Sequence, residues 1–174
     1  NLNGYYYKEL ERDINILKSC DNNLLDRLIM LEYLISNKIL KCIDQHEKYK
    51  YYCENIKKVN IINNLRYSNK VINYCNDIME YMIKDIEKID NIVIKRYLNN
   101  IGYEKLNKVF KLKLIYNVFL DNKNKAEFFR KCIIKLNEIE NSKECYKISD
   151  LDINGKILKD LGYKGKEIGE KLNF

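Results

Sequence analysis

Residues 68–82 read Ser68-Asn69-Lys70-Val71-Ile72-Asn73-Tyr74-Cys75-Asn76-Asp77-Ile78-Met79-Glu80-Tyr81-Met82. The apolar positions 71, 72, 75, 78, 79 and 82 recur at steps of one, three and four. That is one face of a helix turning once every 3.6 residues. Ser68 stands just before the stripe, where a side-chain oxygen can cap the first free backbone amides. The same period governs most of the chain, so this stretch sets the fold class.

Working outward, the spacing predicts a first helix over 5–19 with Leu10, Ile14 and Leu17 facing inward. Asp21 caps a second helix, whose inward stripe is Leu24, Leu28, Leu31, Ile35, Ile39 and Cys42. A third helix is expected over 47–59 and a short piece over 61–66. Asp90 caps a helix carrying Ile94, Leu98 and Ile101 inward. Gly102 then sits where a left-handed residue ends a helix. Further helices are expected over 103–120 and 125–140. No segment sustains the strict alternation of a strand, and no turn dipeptide joins two strand-like runs. The expected fold is all-α: an irregular multi-helix bundle with a small two-helix, glycine-patterned C-terminal tail.

Composition agrees. The chain has 174 residues, 46% hydrophobic and 33% charged, with no Pro, no Trp and six Gly. A chain without Pro has few hard breaks, which suits long helices. After Cys145 the texture changes: Gly155, Gly162, Gly165 and Gly169 fall within fifteen residues. We therefore expect a body over 1–146 and a tail over 147–174, with tail helices near 154–161 and 166–173. Gly169, inside the second, costs roughly 1 kcal/mol relative to Ala. Such a cost implies close approach by another backbone, whether of protein or of nucleic acid.

The six cysteines, at 20, 42, 53, 75, 132 and 145, form no C-x-x-C, and the single His cannot complete a zinc site of the usual spacing. They read as reduced, mostly buried, small apolar residues. No metal or cofactor is expected. No apolar run reaches the ~20 residues of a membrane span, so a cytoplasmic location is expected. Asn1 rather than Met opens the sequence, as in a piece trimmed or excised from something longer.

The net charge is +7, and its distribution matters more than its sum. Residues 91–135 hold eleven Lys and Arg against three Asp and Glu, a local +8 that leaves −1 for everything else. Concentrated positive charge on a folded face suits a polyanion.

The tail residues Asp150, Leu151, Ile153, Gly155, Leu158, Leu161, Gly162, Gly165, Ile168, Gly169 and Leu172 match a pattern. It runs Asp-Leu, Ile-x-Gly, an apolar helix ending in Leu-Gly, a second glycine turn, and Ile-Gly. This segment resembles the C-terminal tail of bacterial CCA-adding tRNA nucleotidyltransferases. Ile157 stands where the family usually has Asp, and the turn after Gly162 is short and lacks Pro. The resemblance extends upstream through 65–70 and 94–102, whereas residues 1–64 match poorly. Many relatives carry a metal-binding His-Asp pair there; here Leu28 to Asn37 has no His, and His46 is followed by Glu47.

The family's catalytic head has no counterpart either. No Gly-Ser dipeptide occurs, and the one Asp-x-Asp spacing, Asp150 and Asp152, lies inside the tail motif. The resemblance thus implies substrate holding without catalysis, and a longer parent would be a tRNA nucleotidyltransferase. The expected partner is tRNA or another structured RNA, recognised by shape and backbone. The expected contacts are Lys95, Arg96, Lys105, Lys108, Lys111, Lys113, Arg130 and Lys131, with Lys166 at the tail. Lys105, Lys108 and Lys111 share a helix face, and Tyr103 and Tyr116 are placed to stack on an exposed base. The alternative is a stand-alone helical interaction protein of mobile-element origin that binds a protein or nucleoprotein partner.

Overall fold

The computed structural model describes residues 2–21, 23–40, 61–88, 90–143, 145–146 and 155–172. They form helices α1 (Leu2–Ser19), α2 (Leu24–Leu40), α3 (Ile61–Asn64), α4 (Asn69–Ile83), α5 (Asn91–Ile101), α6 (Tyr103–Phe119), α7 (Lys123–Asn141), α8 (Gly155–Asp160) and α9 (Lys166–Leu172). No strand occurs among the described residues. The expected helix over 47–59, and the body–tail boundary near 146, lie outside or at the edge of them.

α6 is the central element and packs against α7, α4, α1 and α5. It is buried on several sides at once, through Leu106, Val109, Phe110, Leu112 and Asn117. A helix apolar around most of its circumference belongs in the middle of a bundle. α4 meets it with Cys75, Ile78, Met79 and Met82, the stripe that opened the argument, while Val71 and Ile72 are half-buried at its edge. α7 contributes Phe129, Cys132, Leu136 and Ile139. Edge-to-face ring pairs, Tyr33–Tyr116 at 5.1 Å and Tyr81–Tyr97 at 5.3 Å, close the seams.

The joints follow local chemistry. Asp90 caps α5, accepting from the Ile92 amide at 3.0 Å. Asn122 does the same for α7 through the Lys125 amide. Ser68 occupies the N-cap of α4 with extended backbone, but its hydroxyl makes no capping bond. Gly102 has the expected positive φ, at 80°, yet its ψ of 163° differs from a left-handed cap. It joins α5 directly to α6, in a conformation that is essentially glycine-only.

In the tail, Gly162 (φ 94°) ends α8. The Tyr163 amide donates to the Leu158 carbonyl and the Gly162 amide to that of Lys159, the paired bonds of a Schellman cap. Gly169 differs from expectation: a Cβ there would meet nothing within 4 Å, so no described backbone approaches it.

The largest correction concerns α1 and α2. Leu17 and Leu28 pack against the core as expected, but the other ends of the predicted inward stripes face outward. Leu10 is 55% exposed, Ile14 41%, Leu24 62% and Ile35 40%. The faces turned inward carry Asp13 and Ile16 on α1, with Cys20 just past its end, and Asp26, Ile29, Met30, Glu32, Tyr33, Leu34 and Ser36 on α2. Both faces of each helix are apolar enough to bury, and the period alone does not choose between them. Of the described cysteines, Cys20, Cys75 and Cys132 are buried and Cys145 is exposed.

Candidate nucleic-acid interface

The predicted cations divide by what their side chains meet. Lys105 and Lys108 lie on one face of α6, as spacing required, but that face is turned to carboxylates. Lys105 Nζ donates to Asp77 Oδ2 on α4 at 2.6 Å and lies 5.7 Å from the Tyr74 ring centre. Lys108 Nζ donates to both carboxylate oxygens of Asp26 on α2, at 2.7 and 2.9 Å. Two of the three stripe lysines are therefore spent on cross-helix pairs.

Lys113 is a correction. It is buried, and its Nζ donates to the Lys84 carbonyl at 2.6 Å, beyond the end of α4, with the Phe129 ring 5.5 Å away. Burial pushes its ammonium down to about 8, against the opposing pull of Asp85. A lysine so placed fastens α6 to the end of α4 and offers nothing to a phosphate.

Among the described residues, Arg96 on α5, Lys111 on α6 and Lys131 on α7 are exposed and form no ion pair. Lys95 is half-buried on α5. Arg130 is exposed beside Glu127, at 3.3 Å. Lys166 is exposed at the first turn of α9. The stacking candidates are also corrected. The Tyr103 hydroxyl donates to Asn137 Oδ1 at 2.8 Å, and Tyr116 is half-buried with its ring against Tyr33. Both are bundle residues.

Lys111 lies at a cleft of about 260 Å³ between the start of α2 and the first half of α6. Asp21, Glu104 and Asn107 line it together with the Asp26–Lys108 pair, over Leu112 and Ile115. Asp21 and Glu104 partly offset the charge of Lys111 there and leave it an exposed cation at the rim of the cleft.

Sequence reasoning missed the buried acids. Glu32 is 4% exposed on α2. The backbone amides of Ile61 and Ile62, at the start of α3, hydrogen-bond its carboxylate, while burial drives its pKa up to about 7. Its Oε2 is buried with no partner among the described residues. The only advance signal was that Asp26 and Glu32 share a helix face with Ile29, Met30 and Tyr33. Among the described residues no group of three His, Cys, Asp or Glu is placed to hold a metal ion, and no helix is long and apolar enough to cross a membrane.

Comparison with protein-family models, with curated proteins and with solved structures finds no match to this chain.

Proposed function

We propose that this chain is a helical RNA-binding module that holds tRNA, akin to the body and tail of a CCA-adding enzyme without its catalytic head. The observation that carries the reading is the tail. Its glycine pattern resembles that family's, and Gly162, at φ 94°, stands where only glycine is unstrained, with Gly165 also in the left-handed region at φ 50°. The basic stretch over 91–135 supports it, through the outward cations Arg96, Lys111, Arg130 and Lys131 with help from Lys95. Lys166 adds a cation in the tail. Binding by such side chains would read backbone and shape rather than sequence.

The test is binding of the chain to total tRNA across a salt titration, beside a single strand of equal length. The reading expects preference for tRNA and a salt slope of several phosphates. It also expects loss of affinity in the triple variant Arg96→Glu, Lys111→Glu, Lys131→Glu. Equal binding of both RNAs with no salt slope sinks it.

A second reading, a helical interaction protein with a protein partner, has one specific support: the outward apolar faces of α1 and α2.

A further inference from the structure

The cleft between the start of α2 and the first half of α6 holds charges that do not meet one another. Five charged side chains line it: Asp21, Asp26, Glu104, Lys108 and Lys111. Asp26 and Lys108 neutralise each other in their cross-helix pair. Asp21, Glu104 and Lys111 are exposed, and among the described residues no ion pair joins Lys111 to either carboxylate.

Spacing explains the gap. Glu104 and Lys111 are seven residues apart on α6, so they share a face with about 10 Å of helix between them. The Tyr74 hydroxyl, 3.2 Å from Glu104 Oε1, holds that carboxylate in place. Asp21 answers from the joint between α1 and α2. Asn107 lies one turn from both Glu104 and Lys111, and its Oδ1 is shielded from water with no hydrogen-bond donor. Leu112 and Ile115 add apolar surface.

This arrangement narrows the ligand. The free charges are two negative and one positive, which favours an occupant of net positive charge. A bare metal ion does not fit, because among the described residues no three acidic, Cys or His side chains are gathered to hold one. A polyamine would leave Lys111 facing like charge. An ion with two separated cations and one carboxylate answers all three side chains. The cleft, at about 260 Å³, lies just below the ~300–1,000 Å³ of ligand pockets in general, which suits a single amino acid rather than a nucleotide.

We propose that this cleft binds a free basic α-amino acid of the arginine or lysine type. The ligand's carboxylate pairs with Lys111 and its two cations with Asp21 and Glu104. Its methylenes lie against Leu112 and Ile115. A turn of the Asn107 amide towards the cleft gives Oδ1 a donor from the ligand. Nothing in this rests on RNA binding, since Asp21 and Glu104 take no part in it.

The test is titration of the ¹⁵N-labelled full chain, without RNA, followed by amide chemical shifts. L-arginine and L-lysine are compared with L-citrulline, which keeps arginine's shape without its side-chain cation, and with agmatine, which lacks the carboxylate. Saturable shifts at the cleft are expected for L-arginine or L-lysine, with a Kd of about 1 mM or tighter. L-citrulline and agmatine should bind at least tenfold more weakly. Asp21→Asn, Glu104→Gln and Lys111→Met should each weaken binding of the same amino acid at least tenfold. Helical circular dichroism should be unchanged in all three, because these side chains are exposed. Arg96→Gln, on α5 outside the cleft, should leave binding intact. Affinity should fall between ~20 and ~500 mM salt. The absence of saturable shifts up to ~10 mM of both amino acids overturns the proposal. So does equal binding of L-citrulline or agmatine, or binding that survives Asp21→Asn and Glu104→Gln together.

Discussion

Lys108 on α6 reaches across to α2 and donates to both oxygens of Asp26, whose side chain is only 5% exposed. The two residues are 82 positions apart in the chain. Removing the lysine alone strands a carboxylate in the interior, which costs about 3–5 kcal/mol. Lys108→Met should therefore lower the unfolding free energy by that amount in urea titration. The double variant Asp26→Leu, Lys108→Met should recover most of it, since well-packed apolar pairs replace buried ion pairs at little cost. If the single and double variants are equally unstable, the pair is not what holds α2 to α6.

Glu32 makes stability depend on pH in an unusual direction for an acid. Its folded pKa is about 7 and its unfolded value 4.5. Between those values the folded state holds a proton that the unfolded state has lost. The contribution is thus fully present below pH 4.5 and disappears as pH rises through 7, amounting to roughly 3 kcal/mol at most. Stability of the wild type minus that of Glu32→Gln should fall across this window. A flat difference would show that the carboxylate is solvated.

Lys113 predicts the opposite slope in alkali. Its ammonium titrates at about 8 when folded and 10.5 when unfolded. Between the two, the unfolded chain binds more protons, so folding becomes more favourable as pH rises. The burial penalty is complete below pH 8 and is relieved towards 10.5. In Lys113→Met this rise should vanish, while the bond to the Lys84 carbonyl is lost. Paired thermal melts at pH 7.5 and 9.5 measure both effects.

Two tail glycines should respond with opposite signs. Gly162→Ala forces a side chain into φ 94° and should cost about 1–2 kcal/mol or melt α8. Gly169→Ala meets open space in the middle of α9 and should favour that helix by up to ~1 kcal/mol. If Gly169 exists to admit an RNA backbone, the same substitution should weaken tRNA binding while helicity rises. Unchanged affinity would remove Gly169 from the interface.

The fold was legible wherever one helix face is clearly more apolar than the other. On α4, the residues 75, 78, 79 and 82 leave no competing stripe, and all four are buried. On α5, Ile94 and Leu98 did the same. On α2 the row 24, 28, 31, 35 competes with the row 29, 30, 33, 34, and the second is buried. Period identifies the helix; tertiary packing picks the face. The interface was less legible for a related reason. Counting charge along residues 91–135 sees neighbours in sequence, whereas Asp77 and Asp26 answer Lys105 and Lys108 from other helices. Net charge survives this pairing, but the number of lysines available to a ligand does not.

α6 is enclosed by helices from both earlier and later parts of the chain. Loosening any one of them uncovers only part of its surface, and the remaining neighbours keep its amides from water. Exchange of those amides with solvent deuterium thus waits for the entire body to open. The slowest protons of α6 act as a clock for the lifetime of the folded state as a whole.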